Sequence, residues 1–224
     1  IIVFDIKKRR LDVELPADHP HANYCGTCQE CLKACKTRAL VAAHGRRASA
    51  NELDARLCLS YLTIELKGAI PRELRPLVGN RVYGCDSCQD CCPWNLTPGK
   101  TRHAAFPPRE ELLAPRLTEL LALSPGEFRE RFRGNPIQRL KRKRFLRNVA
   151  VALGNSGDRS VVPALIAALT DGEPLVRQHV AWALGRLGGE DAVVALRGRM
   201  NAEPDPDVRE ELALALRDNP PADL

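Results

Sequence analysis

The chain has 224 residues, 44% of them hydrophobic and 28% charged, with 34 Lys and Arg against 28 Asp and Glu for a formal net charge of +6. This is the balance of a soluble globular chain of one large or two small domains, and no stretch approaches the roughly eighteen apolar residues that a membrane span needs. Nine cysteines, an odd number, behind an N-terminus without a signal-peptide pattern argue against a secreted disulfide framework and for a reducing, cytoplasmic compartment. The chain opens Ile1-Ile2-Val3-Phe4-Asp5 and has its single methionine at Met200, which reads as a fragment or a processed C-terminal portion. Residues 1–22 offer an edge element, Ile1–Phe4 and Leu11–Leu15, and the loop Pro16–Pro20. They are too few to form a core.

All the cysteines lie between Cys25 and Cys92. The first run, Cys25, Cys28, Cys31 and Cys35, has the bacterial ferredoxin spacing. The second is split, with Cys58 alone and then Cys85, Cys88, Cys91, Cys92 and Pro93. Three thiolates three residues apart on a curling loop reach different irons of one cubane, while a fourth, one step on, faces away and ligates the other cluster. That crossing rule assigns Cys25, Cys28, Cys31 and Cys92 to cluster one, and Cys35, Cys58, Cys85 and Cys88 to cluster two. Cys92 is preferred to Cys91 because Pro93 follows it, matching the Cys-Pro ending of the ferredoxin run. Lys36 stands where that run usually has proline, and its charge would raise the potential of a nearby cluster. The rival for such thiolates is zinc, but zinc ribbons pair two knuckles and do not use a run of four cysteines in this rhythm.

Between the runs, Ala39–Val41 reads as a short strand or helix end and His44–Arg47 as an exposed loop. Leu57, Tyr61 and Ile64 give Asp54–Leu66 a helical spacing, with Cys58 near the helix start. Arg72–Val78 reads as a further short helix. Residues 98–115 are a proline-containing connector, followed by helices over Arg116–Leu123 and Pro125–Phe132, the second opened by the capping order Ser124-Pro125-Gly126-Glu127.

Arg129 to Arg147 holds Arg129, Arg131, Arg133, Arg139, Lys141, Arg142, Lys143, Arg144 and Arg147 against Glu130 alone, a local charge of about +8. Asn135-Pro136 places these charges on a turn and a following helix, and the local sequence supplies no acidic partners. A run of this kind suits a polyanion, with phosphate contacts that give salt-sensitive affinity. Beyond it, Ala150-Val-Ala152-Leu153-Gly154 returns as Ala181-Trp-Ala183-Leu184-Gly185 and, more weakly, as Ala213-Leu-Ala215-Leu216. The period is 31 or 32 residues, that of a short HEAT-like helix pair. The expected fold is therefore mainly α, with a two-cluster ferredoxin-like domain over 23–97, a helical connector with the basic segment over 98–143, and HEAT-like repeats over 144–219. Trp182 reads as core, and His179 as a structural or surface residue.

The strings Tyr24–Cys28, Leu53-Asp54-Ala55-Arg56-Leu57-Cys58-Leu59-Ser60-Tyr61, Gly79–Cys88, Cys92-Pro93-Trp94-Asn95, Phe128–Gly134 and Phe145–Ala150 together resemble epoxyqueuosine reductase. A generic ferredoxin has neither the Leu-Asp-Ala-Arg string nor an appended repeat array. Lys36 and a longer stretch between Cys35 and Cys58 depart from the family. The resemblance implies a cobalamin-dependent enzyme with two [4Fe-4S] clusters that reduces the epoxide of epoxyqueuosine in tRNA. It makes residues 1–22 the tail of an N-terminal cobalamin-binding domain that this chain lacks, so no catalytic acid is assigned. It further implies cobalamin contacts from Ser60, Cys85 and Asp86, and RNA contacts from Lys67. The basic segment, Arg139, Lys141, Arg142, Lys143 and Arg144, would hold the anticodon stem-loop. A flavodoxin or ferredoxin would be the electron donor to a monomeric enzyme. Two other readings compete: an electron-transfer ferredoxin with a protein-docking array, and a corrinoid reductase of small molecules.

Overall fold

The computed structural model describes residues 3–4, 10–11, 25–42, 52–96 and 110–219. The expected loop His44–Arg47, much of the N-terminal tail and most of the connector lie outside the described residues. Among the described residues the chain is helical, apart from two short antiparallel pairs. Strand β1 (Val3–Phe4) pairs with β2 (Arg10–Leu11), and β3 (Leu40–Val41) pairs with β4 (Glu52–Leu53), with Leu40 opposite Leu53.

The cysteine-bearing part consists of short helices, because thiol-lined loops interrupt every longer one. Helix α1 (Glu30–Ala34) follows Cys25 and Cys28 and carries Cys31, and α4 (Ser87–Asp90) follows Cys85; the two pack against each other. The single helix expected over Asp54–Leu66 is instead two pieces. The Asp54 carboxylate accepts the Arg56 amide at 3.0 Å and starts a 3-10 turn at Ala55–Leu57. Cys58 then turns extended, at φ −66° and ψ 124°, and α2 (Leu59–Ile64) begins behind it. A turn at Arg72–Leu74 leads into α3 (Arg75–Val78).

The second part begins with α5 (Leu117–Leu121) and α6 (Pro125–Arg131). The capping box read from the sequence is formed, with the Ser124 amide donating to Glu127 at 2.8 Å and the Glu127 amide donating to Ser124 Oγ at 3.3 Å. Stacked helices follow: α7 (Lys141–Gly154), α8 (Val162–Ala168), α9 (Pro174–Leu187), α10 (Glu190–Ala202) and α11 (Pro206–Arg217). The boundary drawn at residue 143 falls inside α7, because the basic run continues straight into the first repeat helix. Helix α9 packs on α7 and α11 packs on α9. Their repeated glycines permit this approach. A Cβ on Gly154 would lie 2.8 Å from Ala183 Cα, and one on Gly185 would lie 2.6 Å from Ala215 Cβ.

One hydrophobic core joins the two parts, running from Leu59, Leu62, Ile70 and Val78 through Phe128, Phe132 and Phe145 to Leu212 and Ala215. The three phenylalanines pack with ring centroids 4.9 to 5.5 Å apart. Polar links cross the same boundary. The Ile70 amide donates to His179 Nε2 at 3.1 Å, the Arg75 guanidinium donates to Glu211 at 2.8 Å, and Asn155 Nδ2 donates to the Arg75 carbonyl at 2.8 Å. His179 is fully buried, which settles its structural role.

Candidate iron–sulfur centre and basic face

Cys31, Cys35, Cys58, Cys85, Cys88 and Cys92 surround one cavity of about 370 Å³ whose apolar wall includes Ala39, Leu40, Leu53 and Leu59. All nine cysteines are free thiols, and among the described residues no three His, Cys, Asp or Glu side chains close on a single-ion site. Packing of α1 on α4 brings Cys31 beside Cys88, and the extended turn at Cys58 brings that thiol to the same space. The four thiols assigned to cluster two all line this cavity, joined by Cys31 and Cys92 from cluster one. Thiolate donors facing an apolar-walled space of this size are the donor set of a cubane, so the residues fit. Cys25 and Cys28 are exposed on the loop before α1. Cys91 is turned back, its thiol donating to the Cys88 carbonyl at 3.6 Å, and it does not line the cavity. Lys36 does line it, on an exposed rim.

The local electrostatics reflect this crowding. Burial, followed by the neighbouring Cys85, Cys58 and Cys31, pushes the Cys88 thiol up. Burial acts in the same direction on Cys35, but backbone hydrogen bonds from Leu40, Ala39 and Thr37 and the Thr37 hydroxyl overcome it and hold that thiol below its ordinary value. Iron would relieve the repulsion, because metal binding requires deprotonated thiolates and compensates their charge.

The Cys58 helix and the Cys85 loop are tied together behind the cavity. Thr63 Oγ1 donates to the Leu59 carbonyl at 2.7 Å and accepts the Gly84 amide at 3.0 Å, one residue before Cys85. Asn148 Nδ2 donates to the carbonyls of Thr63 at 2.7 Å and Val82 at 2.8 Å. Arg147 donates to the carbonyls of Leu62 at 2.9 Å and Leu66 at 2.8 Å, and also to that of Gly68. Sequence reasoning counted Arg147 as surface charge and gave Asn148 no role. The Arg-Asn pair inside an apolar run was the available signal.

Of the other predicted site residues, Ser60 is half-buried at the start of α2, near Cys58. Asp86 is exposed at the head of α4 and makes no side-chain capping bond there. Lys67 is exposed on the loop after α2.

The basic run divides in two, and here the structure corrects the expectation that no acidic partners surround it. Arg142 pairs with Asp171 and donates to the Leu123 carbonyl, Lys143 lies 3.7 Å from Glu173, and Arg139 pairs with Glu65. Arg144 donates to the carbonyls of Leu140 at 2.8 Å and Ile64 at 2.9 Å. Apart from Leu140, these partners come from earlier or later segments, at the end of α2, after α5 and in the α8–α9 turn. Outward, a cleft of about 640 Å³ between α6 and the start of α7 is lined by Arg129, Arg133, Gln138, Lys141 and Arg142 with Pro125 and Phe128, with Arg133 paired to Glu130 and Arg142 to Asp171. Arg129 and Arg133 belong to the run but were not among the predicted RNA contacts.

Residues 24–95 match the 4Fe-4S double cluster binding domain and residues 137–217 match HEAT repeats. The epoxyqueuosine reductase of Escherichia coli (strain K12) is 46% identical over 177 residues, 79% of this chain and 45% of that protein. That of Pseudomonas aeruginosa is 47% identical over 180 residues, 80% of this chain and 48% of that protein. The solved structure of epoxyqueuosine reductase from Bacillus subtilis is similar with a TM-score of 0.79 at 34% identity, covering 92% of this chain and 54% of that one. An epoxyqueuosine reductase crystallised with an epoxyqueuosine-modified tRNA-Tyr stem loop gives a TM-score of 0.78 at 34% identity, covering 90% of this chain and 52% of that one. The chain spans about half the length of the curated relatives it matches. Its architecture is therefore a double-cluster iron–sulfur domain followed by HEAT repeats. Among the described residues no helix is long and apolar enough to cross a membrane.

Proposed function

We propose that this chain is the iron–sulfur and repeat portion of an epoxyqueuosine reductase, a cytoplasmic oxidoreductase that reduces epoxyqueuosine to queuosine in tRNA together with the half of the protein not contained here. The observation that carries the reading is the meeting of thiols from both cysteine runs around one cavity, with a repeat array and a cationic cleft built onto the same core. In this reading Cys25, Cys28, Cys31 and Cys92 hold one [4Fe-4S] cluster, and Cys35, Cys58, Cys85 and Cys88 hold the other. The orientation of Cys92 toward the cavity, and of Cys91 away from it, supports that choice. Bound clusters supply one-electron storage and transfer, and cobalamin supplies the reducing chemistry at the epoxide.

The chain's own residues bind, orient and shield. Leu40, Leu53 and Leu59 give the cavity an apolar wall, and the backbone donors around Cys35 favour its thiolate form. Ser60 and Asp86, with the Cys85 backbone, offer polar groups toward cobalamin on the cluster-two side. Arg129, Arg133 and Lys141, with Lys143, Arg139 and Lys67, present cations to the backbone of an anticodon stem-loop. Phosphate contacts set affinity there, and the modified base sets specificity. An external flavodoxin or ferredoxin serves as electron donor to a monomer.

The test uses this chain, prepared without oxygen. About eight irons and eight sulfides per chain are expected. Its binding of an anticodon stem-loop should weaken steeply with salt, and charge reversal of Arg129, Arg133 and Lys141 should weaken it further and flatten the salt slope. Zinc in place of iron refutes the reading. Full clusters with no RNA binding point instead to an electron-transfer ferredoxin that docks on protein.

A further inference from the structure

We propose that Arg147 and Asn148, on the first repeat helix, are positioning residues that hold and electrostatically tune the cluster bound by Cys35, Cys58, Cys85 and Cys88. The inference rests on the iron–sulfur reading above. Both side chains are fully buried. They sit on α7, yet apart from the bond between them, from Arg147 Nε to Asn148 Oδ1 at 3.0 Å, they donate only to backbone carbonyls of the cluster part. Those carbonyls are the ones that fix the cradle. Leu62, Thr63, Leu66 and Gly68 form the end of α2 and the loop leaving it, and Val82 belongs to the turn before Cys85. Through Thr63, which accepts the Gly84 amide at 3.0 Å, the clamp reaches within one residue of a cluster ligand.

Capping alone does not account for the choice of residue. A short helix end can be satisfied by water or a neutral amide, whereas a buried guanidinium without a carboxylate partner is costly. Among the described residues Arg147 has no such partner. Burial, and then the nearby charges of Arg144 and Arg75, push it down to about 9. A cubane held by four thiolates carries net negative charge and becomes more negative on reduction. It is the countercharge this cation lacks. The six residues of α2 place the guanidinium roughly 10 Å from Cys58, at about 1.5 Å per residue. At that distance, in a medium of effective dielectric about 20, one charge alters a one-electron equilibrium on the order of tenfold. The array thereby sets both the geometry and the potential of the half of the relay nearest to it.

The experiment is an anaerobic redox titration of the chain, with the cluster-two signal identified as the one lost in Cys58→Ala. In Arg147→Met that signal should move to lower potential by about tenfold in equilibrium constant, about 59 mV for one electron, while the other signal stays. Arg147→Lys, which keeps the charge, should move it much less. A folded Arg147→Met protein that retains only half the iron also supports the holding role. If Arg147→Met does not fold, Arg144→Met replaces it, because the partly exposed Arg144 donates to the Ile64 carbonyl at the same helix end and should give a smaller shift of the same sign. Full iron and unchanged potentials in the folded variant overturn the proposal and leave the iron–sulfur reading intact. Absence of iron from the parent chain overturns that reading first.

Discussion

Replacing Gly185 by alanine tests whether the array stands by close helix approach. The added Cβ would meet Ala215 Cβ at 2.6 Å, Ala215 Cα at 2.9 Å and Ala215 O at 3.3 Å, where ordinary contact begins at 3.4 Å. Two of these atoms are backbone, so no rotamer change relieves the clash and α11 must move as a body. It is anchored, however, by Glu211 to Arg75 and by Asn219, which donates to the Gly185 carbonyl itself. Overpacking of this kind costs about 1–3 kcal/mol, offset by up to about 1 kcal/mol from alanine's better helix propensity. A net loss of about 1–2 kcal/mol lowers Tm by roughly 2–8 °C in a chain of this size. Gly198→Ala is the matched control, since Gly198 lies within α10 with nothing inside 4 Å of an added Cβ. There the propensity gain stands alone, and Tm should rise by a few degrees. Thermal melts of both variants by circular dichroism decide the matter. A Gly185→Ala protein as stable as Gly198→Ala would show that the glycine does not set the α9–α11 spacing.

Cys91→Ala should leave eight irons bound, and Cys92→Ala should lose a cluster; iron and sulfide assays that reverse this order would exchange the two roles. His179 accepts the Ile70 amide at Nε2, pairs with the Leu175 carbonyl at 2.8 Å through Nδ1, and faces Arg75 and Arg147, so burial and then Arg75 hold it neutral well below its ordinary value. The unfolded chain then gains a proton below about pH 6.5 that the folded chain refuses, and stability declines as pH falls. Between pH 7.5 and 5.5, urea unfolding should show about 1 kcal/mol more loss for the parent than for His179→Gln, and equal losses would contradict the buried neutral state. Glu203→Ala strands the buried Arg177, which donates to Glu203 at 2.6 and 2.8 Å, and should cost about 3 kcal/mol in a denaturant titration. A loss below about 0.5 kcal/mol would place that pair among weak surface bridges.

The double-cluster domain and the repeat were legible because their signals are local. Ligand spacing is dictated by the reach of a loop around a cubane, and Ala-Leu recurs every 31 or 32 residues because each helix pair must meet the next in the same way. The capping box at Ser124 was legible for the same reason, since its partners lie three residues apart. The continuous helix expected around Cys58 was not found, because periodicity does not register that a thiol turned toward a cavity needs an extended backbone.

What the residue order determined on its own is the chemistry on offer: which thiols exist, in what rhythm, and how many cations follow them. Only the tertiary structure decided how those groups are used. It turned Cys91 back and Cys92 inward, gave Arg142 to Asp171, gathered Arg129, Arg133 and Lys141 around one cleft, and drove Arg147 into the back of the thiol-lined cavity. The outcomes for Arg142 and Arg147 depend on partners tens of residues away. The worth of a charge or a thiol depends on the desolvation and neighbours that distant packing supplies.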